Sequence, residues 1–125
     1  MNTPEGYEAL AAILQEAIDQ AANGKGKERH QQNDRPFLRQ PICEIPRMVG
    51  PAGSAYQVMK KTQEAMRLPP ERAVVELLGA INYAAATIIV IRENALADFN
   101  HRLDKITTDM IYTKPVKLDD FDDLG

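Results

Sequence analysis

Apolar residues recur at helical spacing along most of this chain. The strongest run follows Pro69-Pro70, where Val74, Leu77, Leu78, Ile81, Ala84, Ala85, Ile88 and Ile89 fall three and four residues apart. Only Asn82 and Thr87 are polar between Leu77 and Ile91. This pattern predicts a helix hidden on most sides, the middle of a bundle or of an oligomer interface. The prolines and Glu71 suit its first turn, where a missing N–H costs nothing and a negative charge faces the positive end of the dipole.

The other elements follow from the same rule. Thr3-Pro4-Glu5 reads as a helix start, with Tyr7, Leu10, Ile13, Leu14, Ala17, Ile18 and Ala21 on one face and Asn23-Gly24 as its end. Pro41 to Gly50 reads as a short helix that Pro46 kinks or ends. After the turn Gly50-Pro51-Ala52-Gly53, Ser54 is expected to cap a helix, with Gln57 completing a capping box. Its expected inner face is Ala55, Val58, Met59, Thr62, Ala65 and Met66, with Lys60, Lys61 and Arg67 off that face. Residues 54–91 then form a helical hairpin. Beyond Ile91, Leu96, Phe99, Leu103, Ile106 and Met110 make a narrow heptad-like stripe, on a continuation of the central helix or on a new helix capped near Asn94. The stripe is either the inner side of an ordinary amphipathic helix or an intersubunit seam. The expected fold is all-α, a small helical bundle built on a long helical hairpin and homo-oligomeric. Residues 1–112 form its single helical domain, with a basic loop at 23–40 and an acidic, flexible tail at 113–125.

Composition narrows the class. A chain of 125 residues that is 44% apolar makes one domain, small enough for partners to complete its core. A net charge of −3 gives no reason for general nucleic-acid binding. The single cysteine, Cys43, excludes an internal disulfide framework and reads as a small core hydrophobe. No export signal opens the chain, and the Leu77–Ile91 run falls short of the roughly 20 residues that span a bilayer. A cytoplasmic protein without a membrane partner is expected.

Candidate chemistry centres on positive charge. The loop after the first helix carries Lys25, Lys27, Arg29, His30, Arg35 and Arg39, with Gly24 and Gly26 free to aim N–H groups at an anion. Arg47, Lys60, Lys61, Arg67 and Arg72 continue the series, and arginine forks suit phosphate oxygens. The loop is otherwise a solvated segment salt-bridged to the acidic tail. It is no Walker A loop, lacking a preceding strand and Gly-Lys-Ser/Thr. Tyr56 or Tyr83 is available to stack on a base. Asn82 hydrogen-bonds either a neighbouring helix or a ligand. The candidate ligand-binding set is therefore Lys25, Lys27, Arg29, His30, Arg35, Arg39, Arg47, Tyr56, Lys60, Arg67, Asn82 and Tyr83.

Catalysis is harder to find. Magnesium wants several hard oxygen ligands, and Glu-x-x-Glu or Glu-x-x-Asp pairs, which share a helix face, occur only as Glu5/Glu8 and Glu16/Asp19, both on the first helix. His30 and Cys43 are too few for zinc, and neither His30 nor His101 has an obvious nucleophile. No catalytic residue, metal ligand or cofactor is assigned.

Two resemblances attach to these residues. Gly24-Lys25-Gly26-Lys27-Glu28-Arg29-His30 after a helix, with Gly79-Ala80-Ile81-Asn82-Tyr83-Ala84-Ala85 in a late one, resembles small phage-encoded proteins related to MazG-type nucleotide pyrophosphohydrolases, over residues 8–92. The metal carboxylates of that superfamily are not matched. Leu77-x-x-Ala80-x-x-x-Ala84-x-Ala86-x-Ile88 after a proline break is similar to the helical-hairpin sponges with which phages sequester the cyclic nucleotide signals of CBASS and Thoeris immunity, over residues 56–89. Both imply a nucleotide-like ligand and, for a phage protein, a bacterial cytoplasm. The expectation is a homo-oligomer that binds and sequesters a phosphorylated nucleotide-like small molecule. The alternatives are a divergent pyrophosphohydrolase holding Mg²⁺ with Glu16, Asp19, Glu64 and Glu76, and a structural or protein-interaction module.

Overall fold

A computed structural model describes residues 2–23 and 35–112 of the chain, and every described element is helical. Four α-helices follow in order: α1 (Glu8–Asn23), α2 (Pro41–Val49), α3 (Ala52–Ala65) and α4 (Pro70–Tyr112), with a 3-10 turn (Phe37–Arg39) before α2. The all-α expectation holds. The chain divides into two compact units, Met1–Arg92 and Glu93–Gly125.

Local chemistry moves several predicted boundaries. α1 begins at Glu8 rather than at Thr3 because Gly6 takes a left-handed φ of +88° that no helical turn contains. The Gly6 amide donates to the Glu8 carboxylate at 3.2 Å, so the acid caps its own helix start. α2 does start at Pro41, yet it runs through Pro46 to Val49 instead of breaking there. The proline ring is buried, and its apolar burial offsets the one amide bond it removes. Gly50, at φ +98°, ends α2 by donating to the Pro46 carbonyl at 2.8 Å.

The expectation for Ser54 fails outright. α3 starts three residues earlier, Pro51 occupies the cap position without a side-chain bond, and Ser54 sits inside the first turn. Its hydroxyl is buried and makes no hydrogen bond. The inner face of α3 is also rotated from the predicted one. Ser54, Gln57, Val58, Lys61 and Ala65 are buried or half-buried, whereas Ala55, Met59, Thr62 and, just past the helix, Met66 are exposed.

α4 is one uninterrupted helix of 43 residues, which resolves the choice left open near Asn94. Within the first unit it buries Leu78, Gly79, Ala80, Ala86 and Val90. Val74, Val75, Ile88 and Ile91 on the same helix remain about half exposed, so it is not hidden on most sides within one chain. By length and composition alone, α4 is long and apolar enough to cross a membrane. The core is made of small residues: Ala17, Cys43, Ala65, Ala80 and Ala86 join Leu78 and Val90.

Candidate functional site

The described residues gather polar groups where α1, α3 and α4 meet. Lys61 lies on the inner face of α3 because its stem is apolar along four carbons and only its head needs a polar partner. Glu76, on the first turns of α4, supplies that partner at 3.3 Å. Both side chains are about a quarter exposed, 25% and 29%. The Lys61 ammonium also lies 5.7 Å from the centre of the Tyr83 ring, within cation–π range. Gly79 makes room for this arrangement. A Cβ there would sit 3.4 Å from Cδ and Cε of Lys61 and 3.5 Å from Nε2 of Gln20. Gln20 closes the cluster from α1 by donating to the Val75 carbonyl at 3.3 Å.

Three turns of chemistry thus converge on one junction: a cation, an anion and an aromatic ring, with an amide beside them. Gln20 stands three residues before α1 ends at Asn23. Sequence reasoning placed Lys61 off the inner face and overlooked Gln20 and Glu76 in this role. The available signal was position. Lys61 stands seven residues after Ser54 and four before Ala65, and both of those small residues are buried.

The twelve predicted ligand residues fare differently. Lys25, Lys27, Arg29 and His30 lie outside the described residues. Arg35, Arg39, Arg47, Tyr56, Lys60 and Arg67 are exposed. The Arg35 carbonyl accepts a bond from the Gln40 side chain at 3.1 Å, and the Arg47 guanidinium donates to the Leu38 carbonyl, which ties α2 to the 3-10 turn. Asn82 is half-buried and donates to the Ala17 carbonyl at 2.9 Å, the neighbouring-helix bond of the two readings given for it. Tyr83 is brought to Lys61 and not to Lys60. No hydrogen bond, ion pair or ring contact joins Arg35, Arg39, Tyr56, Lys60 and Arg67 to one another among the described residues.

The carboxylates of the hydrolase alternative are not gathered. Glu16 and Glu64 are exposed, Asp19 accepts a bond from Gln15 at 3.0 Å, and Glu76 is held by Lys61. Among the described residues, no three His, Cys, Asp or Glu side chains come close enough to hold a metal ion. Charge is segregated along the chain even so. Residues 25–72 hold ten Lys and Arg against five Asp and Glu, a local charge of +5 in a chain of −3. Comparison with protein-family models, with curated proteins and with solved structures finds no match.

Proposed function

We propose that this chain is a homo-oligomeric interaction module, a helical protein whose working form is an assembly of copies. One observation carries the reading. α1 buries only Ala17 completely, while Tyr7, Leu10, Ile13, Leu14 and Ile18 remain 43–57% exposed. Monomeric proteins rarely leave so contiguous an apolar surface bare. Taking each such side chain from half-exposed to buried adds roughly 1 kcal/mol. The four on α1 together with Tyr7 just before it reach the lower end of the roughly 4–15 kcal/mol that association costs, and Val74, Val75, Ile88 and Ile91 on α4 add to them. Size-exclusion chromatography with light scattering tests this directly. A defined oligomer at micromolar concentration is expected. A well-folded monomer, or a chain recovered only with lipid vesicles, refutes it.

The charge segregation favours a second property of the same assembly. Copies that bring their +5 segments together hold a phosphorylated, nucleotide-like small molecule and sequester it. Lys60, Arg67 and Arg72 make no ion pair among the described residues and are available to an anion. Mass spectrometry of the small molecules released by heating the purified protein identifies the guest. Intact ligand supports sequestration, pyrophosphate released with Mg²⁺ supports the hydrolase alternative, and no ligand leaves the interaction module alone.

A further inference from the structure

The described part of the second unit, residues 93–112, is helix throughout and carries an apolar stripe with no second described element of that unit to cover it. Leu96, Phe99, Leu103, Ile106 and Met110 are 45–78% exposed. Their spacing alternates three and four residues, the period that keeps a seam facing another helix. Ala95, Arg102 and Asp109 border the stripe on one side, and Glu93, Asn100 and Thr107 border it on the other. We propose, on the strength of the assembly reading above, that this stripe pairs antiparallel with the same stripe of a second copy. In that pairing Leu103 faces Ile106 of the second copy, and Phe99 faces Met110 of the second copy.

Charge selects this arrangement over the others the stripe allows. In an antiparallel pair, residues bordering one side of the seam meet the same side of the partner helix. The proposed register sets Arg102 against Asp109 of the second copy, and two-fold symmetry repeats the pair. Asn100 meets Thr107 across the other border, where both can hydrogen-bond. Sliding one heptad in either direction brings Arg102 against its own counterpart or Asp109 against its own counterpart, and like charges so placed are unfavourable. A parallel pair sets Arg102 opposite Thr107, so the described residues form no opposite-charge pair across it. The existing Arg102–Asp98 contact, 3.2 Å long and on side chains 75% and 63% exposed, does not compete strongly. A guanidinium has donors for both partners. The layers also match in shape, since the flexible Met110 thioether packs well against the edge of the Phe99 ring. Four such layers are too few to stand alone, and the pairing relies on the rest of the assembly for its remaining buried area.

Cysteine cross-linking in the full-length protein tests both direction and register. Cys43 is fully buried, so only introduced thiols react. Phe99→Cys and Met110→Cys are made separately, checked for helicity by circular dichroism, mixed, and oxidised with oxygen and copper phenanthroline, which takes two electrons and two protons from each thiol pair. The expected product is a 99–110 disulfide found only in the mixture. A 99–99 disulfide formed by Phe99→Cys alone means a parallel pair and overturns the proposal. An oligomer by light scattering that yields no cross-link also overturns it and leaves the assembly reading standing, whereas a monomer defeats both. The charge argument has its own readout: Arg102→Asp weakens self-association about tenfold at low salt, and adding Asp109→Arg restores it to within about threefold. Failure of the second change to restore association counts against this register.

Discussion

Asn82 on α4 reaches across to α1 and donates its side-chain amide to the Ala17 carbonyl, 2.9 Å away. An amide in the middle of an apolar run thereby fixes which part of α1 lies against which part of α4. Ala17 is itself fully buried, so the bond is made in a water-poor setting where it is worth more than at the surface. Replacing Asn82 with alanine is expected to cost about 1 kcal/mol, a fall of roughly 3–5 °C in thermal midpoint. Circular dichroism melts measure it, and an unchanged midpoint contradicts the structural role.

The Lys61–Glu76 pair contributes modestly, because both side chains are partly solvated. A double-mutant cycle with Lys61→Met and Glu76→Gln is expected to give a coupling of about 0.5–1 kcal/mol that shrinks in high salt. Lys61→Ala is expected to be worse than Lys61→Met, since it also removes the stem packed over Gly79 and the group beside Tyr83.

Ser54 carries a hydroxyl that is buried without a partner. Ser54→Ala removes an unsatisfied polar group and improves helix propensity at once. The expected result is an unchanged or higher melting temperature, with a gain of up to about 1 kcal/mol. A marked loss of stability shows that the hydroxyl has a partner the chain alone does not supply.

Gly79 separates backbone choice from packing. Alanine places its methyl at ordinary contact distance from Lys61 and Gln20, so the helix gains about 0.5–1 kcal/mol. Leucine at the same place drives Lys61 away from Glu76 and Tyr83, and chemical denaturation is expected to show a loss of about 1–3 kcal/mol.

On α1, Ile13→Glu or Leu14→Glu is expected to lower the molecular mass seen by light scattering while leaving helicity intact. Both residues are already about 43–44% exposed, so the single chain tolerates the charge, whereas the proposed assembly would not.

Much of the helical plan was readable because the apolar period is strong and prolines mark two of the starts, Pro41 and Pro70. What escaped depended on groups distant in sequence. Spacing to Ser54 and Ala65 hints that Lys61 turns inward, but its partner Glu76 is fifteen residues away on the next helix and is not legible locally. Ser54 looked like a cap because Ser-x-x-Gln fits that motif, yet Pro51 already sits at the cap position of α3. Gly6 lies within the stretch expected to open the first helix, and its left-handed backbone stops the helix from starting at Pro4. The face of α1 was read correctly as apolar, but its large side chains lie bare within one chain. Of the candidate site, Asn82 and Tyr83 were found to have neighbours inside the protein, and Lys25, Lys27, Arg29 and His30 lie outside the described residues.

The interior rests mainly on alanines and one cysteine, with Val90 and Cys43 the largest side chains fully enclosed. Alanine lets helices approach closely but removes little hydrocarbon from water as it does so. In the proposed assembly, folding and self-association would draw on the same equilibrium, and the melting temperature would become a function of how much protein is present. Dilution would then act on it as a denaturant.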